Sequence, residues 1–455
     1  MEQLKASLIE ISQAIQQLIS NTADGLPIAP DYDLCHNWQW EKFTYSKTGV
    51  DTGPGLSTFS EKPTWDRVII RLASKLEEST TYSKALQVLA LVTPTPIDPG
   101  HALLKLTTKL IETYLTSEIQ KQDHNVNVVI DRFIHQINTG EINAHTTVYL
   151  VGLTLESPSI QLGPYATLRQ TASSDIGIPR PIFPDLNFDE LPFPTAVLDI
   201  KTIILNGQNS IIPSLTAKSI TILKLFAVSG VYSKYNTVTT DSLLTGVFAG
   251  DTYSSVPPAS TSTSPDFYVT KEHEPKLISF FNYMQKHMPN LVGLNRKIDY
   301  LSVSFDRYTD ACTESLIFER KVMNAIMGLE ALYLNENMEL SYKLAMRCSK
   351  TMSLCGLDPL EIKNTIKAGY AIRSTFAHGA HLSKRDIEKF DKQFSGHNNI
   401  AIQLCNYLRI TICATVICNL KKDSFLDFLD NALLSEVESA ALQKNFLYLE
   451  QYLVL

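Results

Sequence analysis

The spacing of apolar residues changes twice along this 455-residue chain, and these changes limit the folds it can adopt. Residues 1–20 place apolar side chains three or four positions apart, and further helices are predicted at 65–76, 101–115 and 126–137. From residue 146 the pattern becomes short β-branched runs separated by turn residues, which predicts antiparallel strands at 146–155, 160–168, 196–205, 219–232 and 242–247. From residue 272 the helical spacing returns. The sequence therefore predicts a multidomain α+β protein.

Changes in composition suggest where its regions begin and end. We predict a mostly helical N-terminal region at 1–140 and a β-rich region at 141–249 that serves as a sensor or scaffold. A polar stretch poor in apolar residues predicts a linker at 250–268. The C-terminal region, 269–455, is predicted to be an all-α bundle. Its helices are predicted at 276–287, 297–311, 315–334, 340–354, 359–374, 399–420 and 436–453.

The overall charge of the chain does not suggest a strongly basic surface that binds nucleic acid. The chain has 44% hydrophobic and 19% charged residues, and its net charge is −7. The window 336–392 nevertheless contains ten Lys or Arg residues against seven Asp or Glu residues. This local excess is compatible with phosphate binding, and equally with an ordinary solvated helix face.

The cysteines and the hydropathy of the chain indicate the cellular compartment in which it works. Six of the seven cysteines follow residue 300, without Cys-x2-Cys spacing, which predicts buried free thiols in a reducing environment. The chain opens on a mixed-polarity helix with no signal-peptide pattern. The most apolar late stretch, 404–420, contains Arg409 and is predicted to be too short to span a bilayer. We expect a cytoplasmic protein that has no membrane partner.

The strongest candidate for chemistry is an Arg-x4-His pair, Arg373 and His378, followed by Gly379. Histidine can accept and release a proton near neutral pH, and arginine offers a permanently charged fork of donors to a phosphate. Five residues along one helix separate two side chains by about 140°, so they converge only if the helix ends between them or if two chains meet. The glycine favours such an end. The alternative is an arginine that caps helix carbonyls and a histidine buried at a helix junction.

Other motifs are weak. His378 and His381 have i,i+3 spacing but no third ligand nearby in the sequence, so we expect no metal site. Phosphate-loop, dinucleotide-binding and nucleophile-elbow motifs are missing, so we expect no cofactor. Glu330 and Arg347 lie within predicted helices among apolar residues, where an unpaired charge is costly. Glu330 could accept hydrogen bonds from Arg347 or Arg373, or the charges could form a purely structural pair.

Four segments in order, 298–308, 327–333, 339–347 and 373–379, resemble a HEPN domain of the ApeA-like group of bacterial defence and toxin proteins. The first ends near the pair Arg307 and Tyr308, and the second contains Glu330. The resemblance implies that the C-terminal bundle is a HEPN domain and that Arg373 and His378 cut RNA without a metal. It also implies a homodimer whose two motifs form one composite cleft.

In this interpretation His378 is the general base, and Arg373 stabilises charge on the phosphorus centre. Ser374, Glu330, Arg347 and Tyr370 are supporting residues, with Tyr370 stacking on a base or simply packing. A role in antiviral defence, with a phage-derived trigger or inhibitor as partner, also follows from the resemblance. Active members often have Asn, Asp or His where this chain has Ser374. That departure favours the alternative, a non-catalytic HEPN module that binds RNA, a nucleotide or a partner protein.

Overall fold

The computed structural model describes residues 1–22, 30–40, 42–52, 55–94, 97–120, 125–176, 193–205, 211–244, 266–292, 296–314, 317–336, 338–417, 419, 421–446, 449 and 452–454. In this part the chain is a mixed α+β protein, as its sequence predicts. The predicted linker residues 250–265 lie outside the described residues.

The N-terminal region combines helices with strands. Its elements are α1 (Glu2–Thr22), β1 (Asp31–Trp40), β2 (Phe43–Ser46), β3 (Gly49–Thr52), β4 (Gly55–Thr64), α2 (Asp66–Glu77), α3 (Thr80–Val92), α4 (Pro99–Gln120) and α5 (Val126–Thr139). The apolar stripe of α1, including Leu4, Leu8 and Ile11, is fully buried against α2–α5. Gly140 adopts a left-handed conformation and ends α5, as predicted. The sequence pattern does not predict strands β1–β4 or helix α3.

A five-stranded antiparallel sheet occupies the middle region. The elements of this region are β5 (Glu141–Val151), β6 (Leu153–Leu155), β7 (Ser159–Gln161), β8 (Ala166–Gln170), α6 (Ser173–Ile176), β9 (Ala196–Leu205), α7 (Ile211–Phe226), β10 (Tyr232–Thr240) and β11 (Phe267–Val269). The strand order in the sheet is β10-β5-β9-β8-β7, and every neighbouring pair is antiparallel. β6 and β11 form a separate parallel pair. The antiparallel sheet confirms the prediction.

Two strand predictions in this region are wrong. Residues 219–226 belong to helix α7, and a strand starts only at Tyr232. Burial of Ile222 and Phe226 against the sheet and bundle favours a helix over the β preference of the run. Residues 242–244 are not in a strand; Leu243 and Leu244 pack into the N-terminal core instead. Residues 245–247 lie outside the described residues.

The C-terminal region is helical throughout its described part after β11. Its elements are α8 (Glu274–His287), α9 (Tyr300–Thr309) continuing as a π-helical turn (Asp310–Glu314), α10 (Phe318–Tyr333), α11 (Leu340–Ser353), α12 (Pro359–Ala377), α13 (Lys384–Phe394), α14 (His397–Ile417), α15 (Lys422–Leu434) and α16 (Glu436–Phe446). The side chain of Asp358 accepts the first free N–H of α12, and Pro359 is its first residue, as predicted.

Helix α14 runs through the middle of this bundle. Two glycines allow α10 and α12 to approach it closely, because a β-carbon on Gly328 or Gly369 would meet a leucine side chain of α14 at 2.5 or 2.6 Å. Helix α14 has 21 residues and begins two residues before the predicted range 399–420, and among the described helices it is long and apolar enough to span a membrane. However, 83% of its apolar window is buried inside the protein, as expected of a core helix.

The sheet and the bundle share one hydrophobic core. The rings of Phe226 on α7 and Phe280 on α8 lie 5.8 Å apart. The fully buried Arg409 of α14 donates hydrogen bonds to the carbonyls of Leu225, Phe226 and Val454. The boundary predicted at 250–268 therefore marks a change of secondary structure and not a break in the core.

Five cysteines after residue 300 are buried thiols outside any disulfide bond, as the sequence predicts: Cys312, Cys348, Cys355, Cys405 and Cys413. Burial raises the pKa of the Cys413 thiol to about 12, so this sulfur is held in its neutral form.

Candidate functional site

Helix α12 ends in a Schellman motif at the predicted site. The N–H of Ala380 donates to the carbonyl of Thr375 at 3.1 Å, and the N–H of Gly379 donates to that of Phe376 at 2.9 Å. Gly379 has a φ of 77°, a left-handed conformation that glycine adopts without strain. The motif places Arg373 in the last turns of the helix and His378 at its C-cap. The helix end that Gly379 predicts is confirmed.

Helical geometry continues as far as His378, and this separates the two candidate side chains. The N–H of His378 still donates to the carbonyl of Ser374, four residues earlier, at 3.2 Å. His378 therefore projects from α12 about 140° away from Arg373. It lies on the same side of the helix as the exposed residues Lys367 and Ala371, which precede it by eleven and seven positions. Within one chain the two side chains lie on different sides of the helix.

Arg373 points toward the bundle. Its Nη2 lies 3.4 Å from Oε2 of Glu330 on α10, and its guanidinium lies 5.8 Å from the ring centroid of Tyr370. Nε of Arg373 and Oε1 of Glu330 are both buried without a hydrogen-bond partner. The Arg373 side chain is nevertheless 31% exposed. The guanidinium is thus oriented by one long contact and retains unused donors.

The environment of Glu330 weakens this contact further. Burial raises the pKa of the Glu330 carboxyl above its usual value, and the charge of Arg373 only partly opposes the shift. The Glu330 side chain is 17% exposed, so it loses most of its hydration. The Glu330 carboxylate, with one unpaired oxygen, therefore holds Arg373 only weakly. A phosphate that enters the site could compete with it for the guanidinium.

His378 is fully available. Its side chain is exposed and makes no hydrogen bond or ion pair with the residues that the structure describes. Ser374 is half-buried, and Tyr370 packs against the main core, which supports the packing role rather than base stacking. These residues share the C-terminal end of α12 with Arg373 because they are close in sequence, but His378 projects from a different side of the helix.

Arg347 belongs to a different cluster. Its guanidinium donates from Nε and Nη2 to both carboxylate oxygens of Asp430 on α15, at 2.8 and 2.6 Å, and from Nη1 to the carbonyl of Tyr333. The alternative in which Glu330 accepts a hydrogen bond from Arg347 is therefore wrong, because among the described residues the Glu330 carboxylate bonds to Arg373. Arg347 ties α11 to α15. No sequence motif identifies Asp430 as the partner of Arg347, because the two residues are 83 positions apart.

Two histidines lie close together at this helix end. His378 and His381 are both exposed beyond the end of α12. Among the described residues, no group of three or more His, Cys, Asp or Glu side chains is arranged to hold a metal ion. What the site offers is one oriented cation and one free imidazole.

No protein-family model, curated protein or solved structure matches this chain. The resemblance to HEPN domains therefore depends on the four sequence segments alone. In the structure, their residues lie mainly on α9, α10, α11 and α12 and in the turn after α12.

Proposed function

We propose that this chain is a metal-independent endoribonuclease of the HEPN type that acts as a homodimer. The observation that carries the proposal is the end of α12, where a partly exposed guanidinium precedes an exposed imidazole by five residues. Both groups suit the cleavage of a phosphodiester next to a ribose hydroxyl. RNA is the substrate class because DNA lacks the 2′-hydroxyl nucleophile.

The reaction is an internal transesterification. His378 removes the proton of the 2′-hydroxyl, and the resulting oxyanion attacks the adjacent phosphorus. The bond to the 5′-oxygen breaks, and that oxygen takes up a proton and leaves as a free hydroxyl. Arg373 donates to the phosphoryl oxygens, where negative charge accumulates. The products are a 2′,3′-cyclic phosphate and a 5′-hydroxyl.

The divergence of the two side chains explains the need for a second copy. Arg373 and His378 leave α12 about 140° apart, so one chain does not present both to the same phosphate. In the proposed dimer, a two-fold arrangement of the α12 ends would bring His378 of one chain beside Arg373 of the other. The divergence of the two side chains is consistent with the composite cleft that the family resemblance implies.

The test is cleavage of labelled RNA by the full-length protein and by His378→Ala, with a chelator present. We expect cleavage by the parent protein, a fall of at least about 100-fold for the variant, and no cleavage of DNA of the same sequence. His381→Ala is the matched control, because this exposed histidine lies three residues further on. Equal rates for the parent protein and His378→Ala, or loss of cleavage on adding the chelator, would refute the mechanism.

A role in antiphage defence predicts toxicity on expression. Induced cells should stop growing with the parent protein and grow normally with Arg373→Ala at equal protein levels. Lys367→Ala, on the same helix, serves as the control. Toxicity that persists in Arg373→Ala would separate the biological effect from this site.

One contact favours a second candidate function. Arg373 is paired with Glu330 inside the chain, as expected of a non-catalytic HEPN module in which the arginine has a structural task. Such a module would bind RNA, a nucleotide or a partner protein without cutting. RNA that the parent protein retains and leaves intact, with no dimer at any tested concentration, would support this function instead.

A further inference from the structure

Helix α13 carries a basic stripe, formed by Arg385, Lys389 and Lys392. These residues follow one another at four- and three-residue spacing, so they lie on one side of the helix and span about 10 Å of its axis. All three are exposed. None of them makes a hydrogen bond or an ion pair with a described residue. The basic stripe therefore presents three cations to solvent.

The opposite side of α13 determines where the basic stripe points. Phe390 and Phe394 belong to the main hydrophobic core, and they lie about 130° and 170° around the helix from the middle of the stripe. The side chain of Ser383 accepts a hydrogen bond from the N–H of Asp386 and caps the first turn. Packing of the two rings therefore turns the basic stripe away from the bundle.

The carboxylates of α13 do not pair with the basic stripe. Asp386 accepts a hydrogen bond from the hydroxyl of Ser383 at 2.6 Å, and Asp391 accepts one from the backbone N–H of His397 at 2.7 Å. These two carboxylates lie about 90° and 130° from the middle of the stripe. Glu388 lies closer, but it forms no ion pair with a described residue. The three cations thus remain available to an anionic partner.

Helix α13 runs back toward the start of the helix that carries the proposed catalytic residues. It begins six residues after His378, which ends α12. At the other end of α13, Gln393 and Phe394 line the same cavity as Asp358 and Glu361 from the start of α12. The basic stripe therefore lies beside α12, and its first residue follows the proposed general base by seven positions.

We propose that the basic stripe of α13 binds the phosphate backbone of RNA and holds the strand beside the end of α12. This inference rests on the proposed ribonuclease function and adds a surface that positions its substrate. Lysine and arginine bind phosphates whichever base is attached, so the contact supplies affinity and not sequence preference. Over about 10 Å a polynucleotide strand offers several phosphates to three cations.

An anionic membrane is the other large polyanion that a basic helix could meet. A helix that lies on a membrane buries its apolar side at the boundary between headgroups and acyl chains. The apolar side of α13 is already occupied, because Phe390 is 8% exposed and Phe394 is 9% exposed. Only its charged side is free, and this favours RNA, which binds through charge without insertion of apolar groups.

The test measures binding of labelled single-stranded RNA to the full-length protein carrying His378→Ala, so that the RNA stays intact. The stripe variant adds Arg385→Gln, Lys389→Gln and Lys392→Gln. We expect its dissociation constant to rise at least about tenfold at about 0.1 M salt. The slope of log affinity against log salt concentration should become shallower by about 2, since each phosphate contact with a single strand contributes about 0.7.

Two further variants separate the effect of charge from that of structure. The charge-conserving variant exchanges lysine and arginine at the same three positions, and it should bind RNA as tightly as the His378→Ala protein. The matched control removes three exposed lysines from other helices, Lys75, Lys84 and Lys286, and should change the dissociation constant by less than about twofold. Thermal unfolding should show that every variant remains folded.

The proposal is overturned if the His378→Ala protein does not bind RNA, or if the stripe variant binds it equally well. It is also overturned if the control or the charge-conserving variant weakens binding as much as the stripe variant does. Loss of binding to vesicles of anionic lipid, with RNA binding unchanged, would assign the stripe to a membrane instead. Absence of cleavage by the parent protein would refute the ribonuclease mechanism separately, because the RNA affinities do not depend on cleavage.

Discussion

At the scale of single residues, Arg347 shows how a buried charge depends on a half-exposed partner. The Arg347 side chain is 5% exposed, whereas that of Asp430 is 49% exposed. We expect Asp430→Ala to lower the free energy of unfolding by about 2 kcal/mol, because the guanidinium loses two charge-assisted hydrogen bonds that water does not fully replace. Urea denaturation measures the effect. Asp427→Ala, an exposed change on the same helix, should cost less than about 0.5 kcal/mol.

Asp199 makes stability depend on pH at a second buried site. Burial alone would raise the pKa of Asp199, but contacts with His145 and Arg169 outweigh it and lower that pKa to about 2. This folded pKa lies below the ordinary value of 3.8, so the contribution of Asp199 is complete above pH 3.8 and disappears as the pH falls toward 2. We expect Asp199→Asn to lower the free energy of unfolding by about 2 kcal/mol at pH 7. The difference from the parent should shrink below pH 4. Urea titrations at several pH values measure this trend, and a difference that stays constant to pH 2.5 would contradict it.

At the scale of elements, the end of α12 depends on backbone conformation more than on packing. A β-carbon on Gly379 would meet nothing within 4 Å, so the only cost of a side chain there is its left-handed φ of 77°. We expect Gly379→Ala to lower the free energy of unfolding by about 1 kcal/mol. Gly379→Asn should lower it less, because asparagine tolerates this conformation. Equal losses in the two variants would show that the conformation is not the cause.

The sequence predicts elements whose limits are set locally. The Asp358-Pro359 start and the Gly379 end define α12 within a few residues of its observed bounds. The β1–β4 ladder is missed because residues 31–40 and 55–64 lack an alternating apolar pattern, and their pairing depends on backbone hydrogen bonds that connect distant residues. Helix α7 is missed because its β-branched run suits a strand until it packs against the sheet.

In the candidate site, too, the sequence predicts local features and misses contacts between distant residues. Arg373, His378 and the glycine are close in sequence, so their relation to the helix end follows from local rules. The contact of Arg373 with Glu330 joins residues 43 positions apart. The sequence leaves open whether Arg373 or Arg347 donates to Glu330. The pairing of Arg347 with Asp430 could not be predicted, because an exposed aspartate on α15 resembles any other surface carboxylate.

At the scale of the whole molecule, the shared core predicts that the bundle does not fold alone. A fragment of residues 266–455 would expose Phe280 and would leave Arg409 without the carbonyls of α7. We expect this fragment to lack a cooperative thermal transition and to bind hydrophobic dyes, whereas a fragment of residues 141–455 should unfold cooperatively. Cooperative unfolding of the shorter fragment at a temperature similar to that of the longer one would contradict this prediction.

Under the proposed mechanism, the different directions of Arg373 and His378 on one helix make the activity depend on protein concentration. If each catalytic centre takes its base from one chain and its cation from another, turnover per chain rises with protein concentration until pairing saturates. Mixing inactive Arg373→Ala with inactive His378→Ala should then restore part of the activity, since each mixed pair holds one intact centre. A cell that keeps few copies would then tolerate the protein, and a burst of synthesis would raise its activity.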